Sequence, residues 1–213
     1  MLFDFDTLPA RERYKLLVST VVPRPIAWVV SQDAEGHINA APFSFFNVFG
    51  EEPPTVIVGV GSRKPGTPKD TGANIRETGE FVVNLVSYDN ARQMSATAID
   101  FPRGVDELAE AGLTALPSTK VRPPRIAESP VAMECQRMMM IEAGPKYTLI
   151  VGRVVAMHIH DDCVLDASRH YIDTERLDLI GRMHGSGWYT RATDRFEIPR
   201  IPVEDWQRKT TDL

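Results

Sequence analysis

The stretch VAMECQRMMMIEAGPKYTLIVGRVVAMHIH, residues 131–160, decides the fold class of this chain. It contains two largely apolar runs, 131–143 and 147–160, on either side of Gly144 and Pro145. Apolar runs separated by a Gly-Pro turn predict a long antiparallel hairpin. The sequence is therefore expected to build an antiparallel sheet, and the remaining strand signals support that expectation.

Four further runs have strand character. PIAWVVS (25–31) and HINAAPFSFF (37–46) flank a short polar segment at 32–36 and predict a second hairpin. TVIVGVG (55–61) and FVVNLVS (81–87) are nearly continuous apolar runs, which are typical of strands buried on both faces.

Helical signals are short and are inserted between strands instead of alternating with them. They cover Ala10–Leu17, Asp70–Thr78, about Asn90–Ala98, and Asp106–Ala111. Six or so strands joined mainly by hairpins argue against a doubly wound parallel sheet and favour a closed or partly open antiparallel barrel. We predict a mainly β protein with peripheral helices, one domain over residues 1–213, with its barrel at about 20–190 and extensions at both ends.

Composition limits the function classes. The 213 residues are 43% hydrophobic and 25% charged, which is ordinary for a soluble globular protein. A net charge of -5 argues against a general nucleic-acid or anionic-membrane surface. The sequence has no bilayer-spanning apolar run and no signal-peptide core, and its two cysteines, Cys135 and Cys163, are far apart. We expect a reduced, cytoplasmic protein that binds neither nucleic acid nor membrane.

Two nucleotide-binding patterns almost match. Gly59 and Gly61 follow a strand, as in a dinucleotide fingerprint, but Lys64 stands where the third glycine should be. Pro65 and Pro68 would interrupt the helix that the motif must open. The same prolines and a missing lysine exclude a Walker A loop.

HIHDDC, residues 158–163, groups several potential metal ligands. His158 and His160 are expected on one face of a strand, with Asp161, Asp162 and Cys163 directly after them. A strand end followed by a polar turn would have the same sequence. Without a distant third ligand, we predict no metal site here.

The helix start KDTGAN, residues 69–74, has two interpretations. The first helical turn has unpaired N–H groups and the positive end of the helix dipole, and Lys69, Thr71 and Asn74 would add a charge and donors for a phosphate. Alternatively, Asp70 or Thr71 is an ordinary N-cap. A two-turn helix is expected to contribute little to a core. The residues alone leave both interpretations open.

The strand end NAAPFSFFN, residues 39–47, is also ambiguous. Ser44, Phe45, Phe46 and Asn47 offer hydrogen bonds and flat apolar surface, which a heteroaromatic ring with polar edges requires. The phenylalanines could equally be core residues. The chain beyond Asn47, up to Pro53 and Pro54, is expected to be a loop.

Six sequence segments, in this order along the chain, together resemble the pattern of a known family. They are PRPIAWV (23–29), NAAPFSFFN (39–47), Pro53-Pro54, KDTGANIRETGEFVVNLV (69–86), VRPPRIAESPVAMEC (121–135), and GR followed by GWYTR (181–191). The chain resembles the flavin reductase-like proteins with an FMN-binding split barrel, and among them the flavoredoxin-like branch. The resemblance covers about Pro23 to Tyr189.

This resemblance implies a six-stranded antiparallel Greek-key split barrel that dimerises and holds FMN near the subunit interface. It places three groups of cofactor-binding residues: Arg24, Pro25, Ile26 and Ala27 beside the flavin; Ser44, Phe45, Phe46 and Asn47 at the isoalloxazine and ribityl chain; and Lys69, Asp70, Thr71 and Asn74 at the phosphate. The short helix would then serve chiefly to present its first turn to that phosphate.

Two segments depart from the family pattern. Gly50-Glu51-Glu52 is acidic, whereas relatives often have small hydroxyl residues there. Acidic side chains at this place would not help a pyridine-nucleotide phosphate to bind. RMHGSGW (182–188) contains His184 where relatives are often glycine-rich. His184 is a candidate proton donor, or else a solvated loop histidine.

The implied activity is electron transfer from NADH or NADPH through FMN to a flavin, an oxygenase or another acceptor. The flavin supplies the chemistry, so no catalytic side chain is assigned beyond His184. Two other hypotheses stay open. One is an FMN electron carrier without a nicotinamide site; the other is a non-catalytic barrel of the pyridoxamine-phosphate-oxidase type that binds flavin or haem.

Overall fold

The computed structural model describes residues 1–64, 66–203 and 206. Pro65 and the end of the predicted domain, 204–205 and 207–213, lie outside the described residues. The helices are α1 (Ala10–Thr20), α2 (Asp70–Thr78), α3 (Ala91–Ala96) and α4 (Glu107–Glu110), and a 3-10 turn covers Asp161–Cys163. All four predicted helices are confirmed within a few residues. In the described part of the chain, none of the helices is both long and apolar enough to cross a membrane.

The strands follow the predicted runs with several short additions. They are β1 (Ala27–Gln32), β2 (Ile38–Phe43), β3 (Phe46–Glu51), β4 (Pro54–Lys64), β5 (Thr67–Pro68), β6 (Glu80–Asn84), β7 (Ala115–Leu116), β8 (Arg125–Ile126), β9 (Val131–Glu142), β10 (Tyr147–Ile159), β11 (Val164–Asp166), β12 (Tyr171–Ile172), β13 (Ile180–Arg182) and β14 (Tyr189–Arg191). Because β4 continues through Gly59 and Gly61 to Lys64, the exclusion of a strand–loop–helix nucleotide motif is confirmed.

The main sheet has the order β2–β1–β6–β9–β10–β4–β3, with β5 added beside β4. Every pair along this path is antiparallel. The two outermost strands, β2 and β3, are consecutive in the chain, so Ser44 and Phe45 connect the two ends of a curled sheet. The Gly59 N–H donates to the Phe45 carbonyl oxygen at 2.7 Å across this junction. Counting the bent β2–β3 segment as one strand gives six, and the predicted Greek-key split barrel is confirmed.

The hairpin at 131–160 is confirmed as the longest pairing in the sheet. Its partners run from Val131–Ile159 at one end to Thr148–Glu142 at the other, with register shifts near Gly152 and Val154.

Two apolar clusters lie on opposite faces of the sheet. The inner cluster includes Val29, Val58, Phe81 and Ile150, and Ile75 from α2 is buried with them. The expectation that a helix as short as α2 contributes little to a core is therefore wrong, because this one packs on β1 and closes the barrel interior.

The outer cluster packs α3, α4 and the 113–126 segment on the other face, through Trp28, Val82, Met94, Leu108 and Ile126. As predicted, β6 is buried on both faces. For β4 that prediction is wrong: Val56 and Val58 are buried, whereas the outward-facing Thr55 and Ile57 are partly exposed.

The predicted loop after Asn47 is a strand. β3 pairs with β4, placing Val48 opposite Val56 and Gly50 opposite Thr55. The prediction failed because Val48 and Phe49 are 60% and 63% exposed, so no alternation of buried side chains marks the strand. Its backbone hydrogen bonds to β4 form the strand instead.

Candidate functional site

Two neighbouring cavities follow β2, and both are lined by Pro42 and Ala98. The first, of about 60 Å³, is closed by the start of α2 and by the 97–101 segment. The second, of about 250 Å³, lies between the end of β2, α3 and the β13–β14 hairpin. We treat the two adjacent cavities as one candidate site, with a polar end and a wider, more apolar end.

The start of α2 forms one wall of the smaller cavity. Lys69 is the N-cap residue, has an extended backbone (φ -67, ψ 156), and makes no side-chain capping hydrogen bond. Asp70 and Thr71 already belong to the first helical turn, so neither is the N-cap. The ordinary-cap interpretation is thus wrong, and the first-turn N–H groups have no cap from the Lys69 side chain.

The side chains of this turn have different partners. The Thr71 hydroxyl is buried and accepts a hydrogen bond from Asn39 Nδ2 at 3.0 Å, so its own proton is free to donate to a ligand. Asp70 Oδ2 is paired with Arg63 Nη2 at 2.8 Å, which offsets its negative charge. Asn74 is turned away: its Nδ2 donates to Ser31 Oγ at 3.3 Å, and it lines a smaller adjoining cavity.

The wider cavity combines apolar and polar groups. Ile26 and Met94 line it together with Ser44, Arg182 and Tyr189. The Arg182 guanidinium carbon lies 4.8 Å from the centre of the Tyr189 ring, and Arg182 also donates to the Trp188 and Gly185 carbonyl oxygens. A flat ligand with polar edges would find both hydrogen-bonding groups and apolar contacts here.

Arg24 supports this cavity from behind. Its guanidinium donates to the carbonyl oxygens of Val18 and Val21 at 2.9 and 2.7 Å, and of Met183 at 3.0 Å. Burial lowers the pKa of Arg24, yet a guanidinium stays protonated at neutral pH. A fourth, longer contact of 3.4 Å reaches Ser44 Oγ. These contacts place Arg24 between α1, the barrel and the β13–β14 turn.

The other residues predicted to bind flavin do not line either cavity. The Phe45 ring lies between Tyr14 and Tyr147, with centroids at 6.4 and 5.7 Å. Phe46 and Ala27 belong to the inner cluster. Pro25 and Asn47 are exposed. For these five residues, contact with a flavin stays a prediction.

The structure adds three residues that sequence reasoning missed. Asn39, Arg63 and Glu107 all line the smaller cavity. Asn39 is inside the quoted strand motif and could have been found from it. The sequence does not mark Arg63 and Glu107 as site residues, because a charged residue on a strand end or a short helix is usually solvated.

The histidines occupy separate places. His184 is exposed, and its ring stacks on Trp188 with centroids 6.1 Å apart. His158 Nε2 lies 2.5 Å from Glu134 Oε1, whereas His160 Nε2 lies 2.9 Å from the Ala127 carbonyl oxygen. The two rings thus have different partners at the end of β10.

Comparison with known proteins agrees with this architecture. Residues 18–175 match the flavin reductase like domain. A relative from Deinococcus radiodurans, described only as an uncharacterized protein, is 44% identical over 97% of this chain and 92% of its own length.

Solved structures show the same fold. Nitrilotriacetate monooxygenase component B from Bacillus cereus is 32% identical, with a TM-score of 0.86 over 93% of this chain and 98% of its own. The 2-nitrobenzoate 2-nitroreductase NbaA from Pseudomonas fluorescens is also 32% identical, with a TM-score of 0.85 over 95% and 97%. Flavoredoxin of Desulfovibrio vulgaris, at 20% identity and a TM-score of 0.76 over 96% and 100%, shares the fold.

The curled antiparallel sheet is a split barrel, with its cleft beside the end of β2. The chain belongs to the flavin reductase-like family, because the family match covers most of the sequence. Membership and the solved relatives support a flavin-linked oxidoreductase.

Proposed function

We propose that this chain is a homodimeric, FMN-binding oxidoreductase that passes electrons from NADH or NADPH to a flavin, an oxygenase or another acceptor. One observation carries the proposal. The start of α2, with Lys69 and the buried Thr71 hydroxyl, faces a cavity that lies beside a wider cleft suited to a flat ring.

The donor set fits a flavin mononucleotide. Lys69 supplies a positive charge, Thr71 an O–H donor, and the first turn of α2 its N–H groups, which together suit a phosphate. Ile26, Ser44 and Arg182 would contact the ring in the wider cleft. The bound flavin would supply the redox chemistry, and the chain's contribution would be binding, orientation and exclusion of water.

A second subunit would complete the ring site. The wider cleft holds about 250 Å³, below the roughly 300–1,000 Å³ of typical ligand sites. An outward apolar face of the sheet also lacks cover within the described residues. On this face Val151 of β10 pairs with Met139 of β9 and with Ile57 of β4, and the pair Ile141 and Leu149 lies beside them. Met139 and Ile141 are 54% and 46% exposed. We call these five residues the sheet face and propose that it packs on a second copy.

The solved relatives bear on the electron acceptor. Nitrilotriacetate monooxygenase component B is by its name part of an oxygenase system, which favours an oxygenase as acceptor. Both cysteines are free and buried, which suits the reducing cytoplasm that we propose as its location. Glu51 and Glu52 are exposed, so a nicotinamide phosphate would have to bind elsewhere.

Two measurements on purified protein test the proposal. Flavin absorption bands, with rapid oxidation of NADH or NADPH when FMN is present, are the expected results. Bound flavin without any nicotinamide oxidation would favour the electron-carrier hypothesis. A haem Soret band would contradict the proposal.

His184 is proposed to tune activity and not flavin affinity, since its ring is exposed and stacked on Trp188 at the turn between β13 and β14. His184→Ala should lower turnover and leave the FMN dissociation constant within about twofold. Loss of FMN with turnover preserved would reverse this assignment.

A further inference from the structure

Glu107 is a buried carboxylate beside the smaller cavity. It is only 8% exposed, and its Oε2 accepts a hydrogen bond from the Ala40 N–H at 2.9 Å. Burial raises the pKa of Glu107, the Ala40 hydrogen bond opposes that rise, and the nearby Asp70 and Asp106 add to it. No arginine, lysine or histidine forms an ion pair with Glu107 among the residues that the structure describes.

Several charged groups line the two cavities that Glu107 borders. The elements packed around it contribute acidic residues Asp33, Asp70, Asp100 and Asp106 and basic residues Arg63, Lys69, Arg103 and His37. Asp70 is neutralised by Arg63, and Asp33 contacts His37 at 3.0 Å. Asp100 and Arg103 are exposed, so solvent screens them. Glu107 is therefore the buried acid in this group without a cationic partner.

The charge balance of the smaller cavity makes the ionisation of Glu107 important. Its lining includes two cations, Arg63 and Lys69, and three acids, Asp70, Asp100 and Glu107. A phosphate ester brings a further charge of about -1.5 to -2 at pH 7. With Glu107 ionised, the entering phosphate would meet a buried like charge, which is strongly unfavourable at low dielectric constant.

We infer that Glu107 is a specificity-determining residue that binds a proton when the phosphate of a flavin mononucleotide enters the adjoining cavity. The inference rests on the proposed function and deepens it. Protonation removes the like charge and turns the carboxyl group into a hydrogen-bond donor. The proton comes from solvent, and no covalent bond to the ligand forms.

Proton linkage fixes how affinity depends on pH. Phosphate raises the pKa of Glu107 further, so FMN affinity falls as pH rises through the pKa of the free protein. Riboflavin lacks the phosphate and is indifferent to this group. The phosphate of free FMN itself ionises near pH 6, which makes FMN affinity rise with pH. This ionisation belongs to the free ligand and is the same whichever variant is titrated.

Calorimetric titration in buffers of different ionisation enthalpy measures the protons taken up. FMN and riboflavin are titrated into the wild type, Glu107→Gln, and Glu110→Gln, an exposed glutamate of the same helix. Glutamine can still accept the Ala40 hydrogen bond. We expect the wild type and Glu110→Gln to take up more protons per FMN than Glu107→Gln, by up to about 0.5 at a pH between the pKa values of Glu107 in the free and FMN-bound protein. At pH 8, Glu107→Gln should bind FMN about tenfold more tightly than the wild type, equivalent to one pKa unit of coupling.

The controls separate the possible failures. Riboflavin affinity should be equal in all three proteins, which also shows that Glu107→Gln is folded. Equal proton uptake with FMN in all three proteins would overturn the role of Glu107 but would leave the proposed function standing. If neither flavin bound any of them, the proposed function would fail and this inference with it.

Discussion

Arg24 shows at the residue scale how one buried side chain can join distant parts of this chain. Its guanidinium contacts carbonyl oxygens at the end of α1 and at Met183, which follows β13. A cation at a helix C-terminus is favourable, because the last carbonyl groups are unpaired and carry partial negative charge. The sequence motif marked Arg24 as important, but only the structure shows that it contacts protein atoms.

Replacing Arg24 should therefore destabilise the fold. Arg24→Met keeps most of the volume and leaves three carbonyl groups without their donor, which should lower the free energy of unfolding by about 3 kcal/mol. Urea denaturation measures this loss. Arg11→Met, at an exposed position of α1, serves as the control and should change stability by less than about 0.5 kcal/mol. Equal, small losses for both variants would contradict the role of Arg24.

Glu134 holds the 117–130 excursion against the sheet. Burial by itself would raise the pKa of this fully buried carboxyl group. Three hydrogen bonds of 2.5–2.7 Å outweigh that effect and hold the pKa below its ordinary value of 4.5. They come from the Thr119 N–H, from His158 and from the Lys120 N–H. A lowered pKa stabilises the folded state above the unfolded-state pKa, and this stability is lost as pH falls through the folded-state pKa.

The pH dependence of unfolding tests this contact. At pH 7, Glu134→Gln should be less stable than the wild type by about 2 kcal/mol, the scale of hydrogen bonds to a charged group. The difference should shrink as pH falls below about 4.5, because the wild-type carboxylate then becomes protonated. Glu77→Gln, which is exposed on α2, should show no such trend. A difference that stayed constant down to pH 3 would rule out an ionised Glu134.

At the scale of elements, the sequence predicted those that local apolar runs, turn residues and helix signals mark. The 131–160 hairpin, β6 and the four helices are of this kind. β3 was missed because its position depends on backbone pairing with β4, which no local pattern records. Glu107 was missed for a similar reason: its burial follows from α4 packing on β2, between residues far apart in sequence.

Close packing of β10 on β6 leads to a prediction at this scale. A Cβ at Gly152 would overlap the Phe81 ring, so Gly152→Ala should destabilise the barrel by about 1–3 kcal/mol. Gly61→Ala is the matched control in β4, where a Cβ would lie at an ordinary 3.6 Å from Tyr147. Thermal unfolding of both variants checks this, and Phe81→Leu in the Gly152→Ala background should recover part of the loss. A stable Gly152→Ala protein would show that the ring can move at little cost.

At the scale of the whole molecule, the central expectation is a dimer formed through the sheet face. Light scattering at micromolar concentration should give about twice the chain mass of 23.8 kDa. Met139→Lys places a charge on the sheet face and should shift the protein towards monomer and weaken FMN binding. Leu165→Lys, at a 68% exposed position on β11, should leave the dimer intact. A monomer mass for the wild type with flavin still bound would contradict the dimeric site.

The most direct test of the central claim compares FMN with riboflavin at the start of α2. Both flavins are titrated by fluorescence quenching into the wild type, Lys69→Ala, and Lys146→Ala, an exposed lysine of the β9–β10 turn. Contacts to charged groups contribute about 1.5–3 kcal/mol, so Lys69→Ala should weaken FMN by roughly ten- to a hundredfold. Riboflavin, which has no phosphate, should bind all three proteins almost equally. If Lys69→Ala weakened both flavins by the same factor, or neither, the start of α2 would not hold the FMN phosphate.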